Sequence, residues 1–117
     1  MAINVAAVEQ QVLAAIKAAA GGAAPASQAT LVQLAQDLTA ALAAIEADNA
    51  AGTITPAQAQ SLIQATVDGA KAALVGLAAP IAQAILSAGL NTLITVAATA
   101  TGLGWAVPII QAVVNGL

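Results

Sequence analysis

Residues 31–58 read LVQLAQDLTAALAAIEADNAAGTITPAQ. Leu31, Leu34, Leu38, Leu42 and Ile45 recur at helical spacing and form one narrow stripe. Leu31, Leu38 and Ile45 are seven apart, the interval of a coiled-coil seam, with Gln33, Gln36, Asp37 and Asp48 opposite. The end of the stretch stops this helix and starts another. Gly52 is placed to end it in a left-handed conformation. Thr55 caps the next helix, Pro56 takes its first position, and Gln58 completes a capping box with Thr55. Ile54 then tucks between the two helices. The stretch is an αα-hairpin, and it sets the expectation of an all-α protein of antiparallel helical hairpins in a bundle.

The same residues invite a second reading, as a calcium loop. Such a loop needs oxygen ligands at its positions one, three, five and twelve, and glycine at six. With Gly52 at six, those positions hold Ala47, Asn49, Ala51 and Gln58. Three of the four anchors are gone, including the bidentate glutamate, and Asp48 falls on a non-ligand position. The residues keep the turn and lack the metal site.

Working outward, residues 2–20 form a first helix, with Val5, Val8, Val12, Ile16 and Ala19 on one face and Leu13 beside them. Gly21 and Gly22 stop it, and Ser27 is a plausible N-cap for the second helix, over residues 28–50. VAAVEQQVLAAI from Val5 and LVQLAQDLTAAL from Leu31 share their large apolar positions, as two amphipathic alanine-rich helices must. On the other side of the hairpin a third helix starts at Pro56. Its stripe is Ile63, Val67, Ala70, Leu74, Leu77 and Ile81. Pro80 interrupts this pattern, but Gly76, four residues earlier, leaves room to bend, so a kinked continuation to about Gly89 is expected. Asn91 or Thr92 would then cap a fourth segment, TLITVAATAT, whose β-branched residues lower its helix propensity. GLGW is a break, and Pro108 opens a last short helix, PIIQAVV.

The composition removes most chemistry. The 117 residues include no cysteine, no histidine, no tyrosine and no phenylalanine. Thiolate sites, disulfides and the commonest general base and metal ligand are therefore excluded. Two lysines, no arginine and Trp105 as sole aromatic leave nothing to grip phosphate or stack bases, so no nucleic-acid partner is expected. GLG lacks the strand and lysine of a phosphate loop. No catalytic set is present and no cofactor is expected; the chain reads as a non-enzyme. Glu9 falls among Val5, Val12, Leu13 and Ile16, so it reads either as a buried or pore-facing carboxylate or, the favoured reading, as a first-turn acid turned to solvent at a frayed end; Asp68 with Lys71 reads as a local ion pair.

Charge is also unevenly spread. Glu9, Lys17, Asp37, Glu46, Asp48, Asp68 and Lys71 carry all of it, and the last 46 residues carry none. Residues 1–71 thus read as an amphipathic Ala/Gln-rich region and 72–117 as an uncharged hydrophobic region of one structural unit. The tail offers two near-spanning stretches, 72–88 and 92–114. Ala72, Gly76, Pro80, Ala84 and Ala88 recur every four residues, as do Ala98, Gly102 and Ala106, ladders that suit close helix packing in lipid. Trp105 is of the type found at a membrane interface. Four threonines, Gln111, Pro108 and the glycines oppose insertion. Two fates therefore stay open for the tail: burial against other protein subunits, or contact with a membrane.

The polar front joined to ALVGLAAPIAQAILSAGLNTLITVAATATGLGWAVPII, residues 73–110, resembles small phage-encoded proteins, either internal virion and ejection components or holin-like pore formers. The resemblance is one of overall style along the whole chain. It implies a homo-oligomer with structural partners, in a virion or associated with a membrane. The start, MAINVAAVEQQ, has no basic n-region and reads as no secretory signal.

Overall fold

The computed structural model describes residues 4–21, 28–100 and 102–117. Five α-helices follow in order: α1 (Val5–Ala20), α2 (Gln28–Ala51), α3 (Pro56–Ala73), α4 (Ala79–Thr99) and, after a 3₁₀ turn (Gly104–Ala106), α5 (Val107–Asn115). No strand occurs among the described residues, and the chain is an all-α bundle.

Local chemistry accounts for the helix ends. Asn4 caps α1, its Oδ1 accepting from the Ala7 N–H at 3.1 Å, and Gly21 ends it at φ +58°. Ser27 lies outside the described residues. At the end of α2, Gly52 takes φ +72°. Its N–H donates to the Asn49 carbonyl (3.1 Å) and the Thr53 N–H to the Asp48 carbonyl (2.9 Å), the paired bonds of a Schellman motif. Thr55 then starts α3 with both halves of a capping box: the Gln58 N–H donates to its hydroxyl (3.2 Å), and its own N–H donates to Gln58 Oε1 (2.9 Å).

The tail departs from the expected segmentation. The third helix does not continue, kinked, to Gly89; it stops at Ala73, and residues 74–78 form a corner. Pro80 lies in the first turn of α4, where its missing N–H has no helical partner to lose. Placed inside a helix it would break a bond and strike the preceding turn, so the cheaper solution is a new helix rather than a kink. From there α4 runs unbroken through Gly89, Asn91 and Thr92, neither of which is a cap. The threonines of this stretch survive in a helix because Thr92 donates to the Ala88 carbonyl (2.9 Å) and Thr95 to that of Asn91 (3.2 Å). Leu74, Leu77 and Ile81 consequently share no helix. They sit at the C-cap, in the corner and in the first turns of α4.

The helices close a ring. α1 packs on α2, α2 on α3, α3 on α5, α5 on α4, and α4 returns to α1 in the most extensive contact of the molecule. α2 and α3 are antiparallel across their four-residue connector. One core cluster joins all five helices, from Val12 and Ile16 through Leu38, Leu42 and Ile63 to Ile85, Leu90 and Ile110. The radius of gyration is 13.5 Å, close to the ~13 Å of a compact chain this long.

The ring tightens at Gly89. A Cβ there would lie 2.6 Å from Leu38 Cδ1 on α2 and 3.3 Å from Ile16 Cγ2 on α1. Both neighbours are fully buried, so a side chain at this position would require them to shift within the core. One polar group is sealed in nearby helix: Thr39 on α2 is 0% exposed, and its hydroxyl has no hydrogen-bond partner.

Two comparisons check this packing. Gly69, in the exposed interior of α3, has open space around its absent Cβ. Gly69→Ala should stabilise by ~0.5–1 kcal/mol through helix propensity alone. Gly89→Ala should instead destabilise by ~1–2 kcal/mol, overpacking outweighing the same propensity gain, as read by urea unfolding followed by circular dichroism. In the same assay Thr39→Val, which keeps the shape and removes the unpaired hydroxyl, should stabilise by ~1–2 kcal/mol.

Candidate functional site

The bundle sorts charge by helix. Glu9 and Lys17 belong to α1, Asp37, Glu46 and Asp48 to α2, and Asp68 and Lys71 to α3. α4 and α5, which carry none, are neighbours in the ring. Their outer surfaces therefore join into one face to which neither helix contributes an ionisable side chain, with Lys71 of α3 beside Gln83 and Leu117 at one end. What was an asymmetry along the sequence becomes an asymmetry between two sides of the molecule.

That face is made of small and neutral residues. Pro80, Ala84, Asn91, Thr95 and Ala98 are exposed on α4, and Pro108, Gln111, Ala112 and Asn115 on α5. The threonine hydroxyls are turned back into the helix: besides Thr92 and Thr95, Thr99 donates to the Val96 carbonyl at 3.0 Å. Between the two helices runs a shallow groove lined by Asn91, Ile94, Gln111, Val114 and Asn115. At its far end Gln83 Nε2 donates to the Leu117 carbonyl (2.8 Å) and ties α5 to the start of α4.

The fourfold small-residue ladders do not exist as helical ridges. Ala72 ends on α3, Gly76 lies in the corner, and only Pro80, Ala84 and Ala88 share α4; Ala98, Gly102 and Ala106 are spread over α4, a turn at φ +84° and the 3₁₀ turn. Nor do 72–88 and 92–114 form separate spans, since α4 crosses the boundary between them. α4 is the one helix among the described residues that is long and apolar enough to cross a membrane.

The leucine stripe faces inward. Leu31, Leu34, Leu38, Leu42 and Ile45 on α2, Ile63 and Val67 on α3, and Leu74 at its C-cap are all buried in the chain's own core, with Leu77 and Ile81 packed against it. Ile54 also packs there, beside Gly52, Thr55 and Pro56 of the connector. Among the described residues two large hydrophobic side chains are exposed, Val5 at the start of α1 and, more fully, Val75, 85% accessible at the α3–α4 corner.

Trp105 is half-buried, and its polar end is engaged internally. The indole Nε1–H donates to Asn49 Oδ1 (3.1 Å), and Asn49 Nδ2 donates to the Gly102 carbonyl (3.2 Å). One carboxamide thus clamps the end of α2 to the turn that leads into α5, using donor and acceptor together. Sequence reasoning missed Asn49, because nothing in the chain between residues 49 and 102 signals that they meet.

Two of the carboxylates make local contacts. Asp68 accepts from Gln64 Nε2 at 3.0 Å, and Asp37 from Gln33 Nε2 at 2.9 Å. These i,i+4 bonds replace the expected pairing of Asp68 with Lys71. Glu9 sits beyond the first turn of α1 and is half-buried rather than at a frayed end. Among the described residues no three His, Cys, Asp or Glu side chains are grouped to hold a metal ion. The candidate site is therefore a surface, the neutral α4–α5 face. No protein-family model, curated protein or solved structure matches the chain.

The clamp is open to direct test. Asn49→Ala strands the indole N–H and the Gly102 carbonyl together and should cost ~1–2 kcal/mol. With no tyrosine in the chain, emission on tryptophan or tyrosine excitation comes from Trp105 alone. The variant's emission should shift to longer wavelength before global unfolding, while its helical circular dichroism holds.

Proposed function

We propose that this protein is a non-enzymatic, self-associating structural subunit whose uncharged α4–α5 side is covered in a larger assembly. The observation that carries this reading is the neighbouring placement of the two charge-free helices. A solvated protein surface ordinarily has about a quarter of its residues charged, of both signs. Here two neighbouring helices have none, although the other three helices carry seven charged residues. The internal core has already used the large aliphatic side chains of α4. What remains outside is alanine, proline, threonine, asparagine and glutamine around the half-buried Ile94 and Val114, a composition that tolerates burial against protein because its hydrogen-bonding groups can be matched there. Chemistry of the acid–base kind finds no support in a chain without histidine or cysteine. The resemblance in style to small phage virion components makes a virion a natural setting for such a subunit, with structural proteins as partners.

A second reading, a holin-like or pore-forming membrane protein, is favoured by the length of α4, 21 residues or about 31 Å, enough for a bilayer core. Against it, 39% of the apolar window of α4 is buried inside the bundle, so insertion would require the ring to open.

Light scattering coupled to size exclusion, in buffer without detergent, separates the outcomes. The structural reading expects a mass of at least two copies. A monomer at all concentrations, combined with dye release from liposomes, would transfer support to the membrane reading; a monomer without release would remove both.

A further inference from the structure

We propose that Asn115 is a site of spontaneous deamidation, gated by the hydrogen bond that ties the end of α5 to Gln83. The proposal concerns the single chain and stands apart from self-association.

The sequence singles out the residue. Its asparagines are Asn4, Asn49, Asn91 and Asn115, followed by Val5, Ala50, Thr92 and Gly116. Deamidation begins when the backbone nitrogen of the next residue attacks the asparagine Cγ. A side chain on that next residue hinders ring closure, and only Asn115 is followed by a residue without one.

The structure singles it out again. The Asn4 carboxamide caps α1, and that of Asn49 is held by Trp105 and Gly102. Asn91 lies in the middle of α4. Asn115 is exposed, is the last residue of α5, and its carboxamide makes no hydrogen bond with another described residue. Asp68–Gly69, the related pair, lies inside α3, with its carboxylate accepting from Gln64 Nε2.

The folded tail holds the nucleophile back. The Gly116 N–H donates to the carbonyls of Ala112 (3.2 Å) and Val113 (3.1 Å), so its nitrogen cannot attack until those bonds open. α5 has nine residues, too few to hold its own end. Val113 is the last residue of α5 that is fully buried in the core. Beyond it Leu117 packs at the core's edge, and its carbonyl accepts from Gln83 Nε2 at 2.8 Å. Fraying of this single turn frees the Gly116 nitrogen, and the Gln83 bond opposes the fraying.

The reaction needs only water. The Gly116 nitrogen loses its proton and bonds to Asn115 Cγ; the Cγ–Nδ2 bond breaks and ammonia leaves with a proton. Water then opens the cyclic imide at either carbonyl, giving aspartate or isoaspartate. In sum an amide and water become a carboxylate and ammonium. The product adds one negative charge to a chain of net −3 and gives α5 its first ionisable side chain. That charge stands at the C-terminal end of the helix, where the macrodipole disfavours an anion, so the altered tail is held more loosely.

Incubation of the full chain in mildly alkaline buffer, followed by peptide mass spectrometry that separates aspartate from isoaspartate, reads the rate at each asparagine. The unaltered chain would be compared with the same chain unfolded in guanidinium, with Gln83→Ala and with Gly116→Ala. Both substitutions are at exposed positions, and a Cβ at Gly116 meets the Ala112 and Val113 carbonyls at an ordinary 3.6 Å. Circular dichroism checks that each variant keeps its helix content. Asn115 should convert first and give both products, more slowly in the folded chain than in the unfolded one. Gln83→Ala should speed it about threefold, the effect of one exposed hydrogen bond. Gly116→Ala should slow it roughly tenfold or more. Conversion of another asparagine first, an intact Asn115 after the unfolded chain has reacted, or a rate unchanged by Gly116→Ala would overturn the site. Equal rates in the folded and unfolded chain, or no effect of Gln83→Ala, would overturn the gate.

Discussion

The fold depends on how closely α4 can approach α1 and α2 at once. Gly89 sets that distance. With no side chain, it admits Leu38 from one neighbour and Ile16 from the other into the space its Cβ would occupy. Around this point the aliphatic side chains of three helices interlock, and α3 and α5 close the ring behind them. A glycine inside a helix costs about 1 kcal/mol in propensity. Here that loss is offset by packing that no larger residue allows, a local rule broken for a gain in the core.

The central position of α4 changes the meaning of its composition. A long uncharged helix with strong apolar content is the signature of a membrane span, and also of a helix inside a bundle. Two sides of α4 are occupied by α1 and α5, with α2 beneath. Ile85, Leu86, Leu90 and Leu93 go to those contacts, and the outward strip is left with small neutral residues beside the half-buried Ile94. The surface proposed to be covered in an assembly is thus a by-product of the core: the same helix that organises the bundle contributes its remaining side to the neutral face.

Polar groups across the helices are handled sparingly. Asn49 meets two needs with one side chain, the indole N–H of Trp105 and the carbonyl of Gly102, and so fastens the turn before α5. The threonines of α4 satisfy themselves locally. Thr39 does neither, and its sealed hydroxyl is a standing cost to the fold, of the order of 1–3 kcal/mol for a buried unpaired group. We have no structural account of why a threonine occupies this position.

Much of the bundle was legible in the residues alone. The stripe from Leu31 to Ile45, the Gly52 stop and the capping box of Thr55 and Gln58 depend on neighbours within a turn or two, so local pattern describes them fully. The confinement of charge to the first 71 residues was equally plain. The course of the chain after Ala73 was not. Apolar spacing persists from Leu74 to Ile85 across the corner, and periodicity cannot tell a kinked helix from two helices that each begin their own packing. The β-branched stretch from Thr92 to Thr99 argued for a weak separate segment, yet contacts with α1 and α5 hold it in one long helix. By itself, then, the amino-acid order determined which segments are helical near their caps and that charge is confined to the front. Only tertiary structure decided where α4 begins, that Asn49 meets Trp105, and that the two charge-free helices lie side by side. Those depend on contacts between residues tens of positions apart, which no periodicity within a segment encodes.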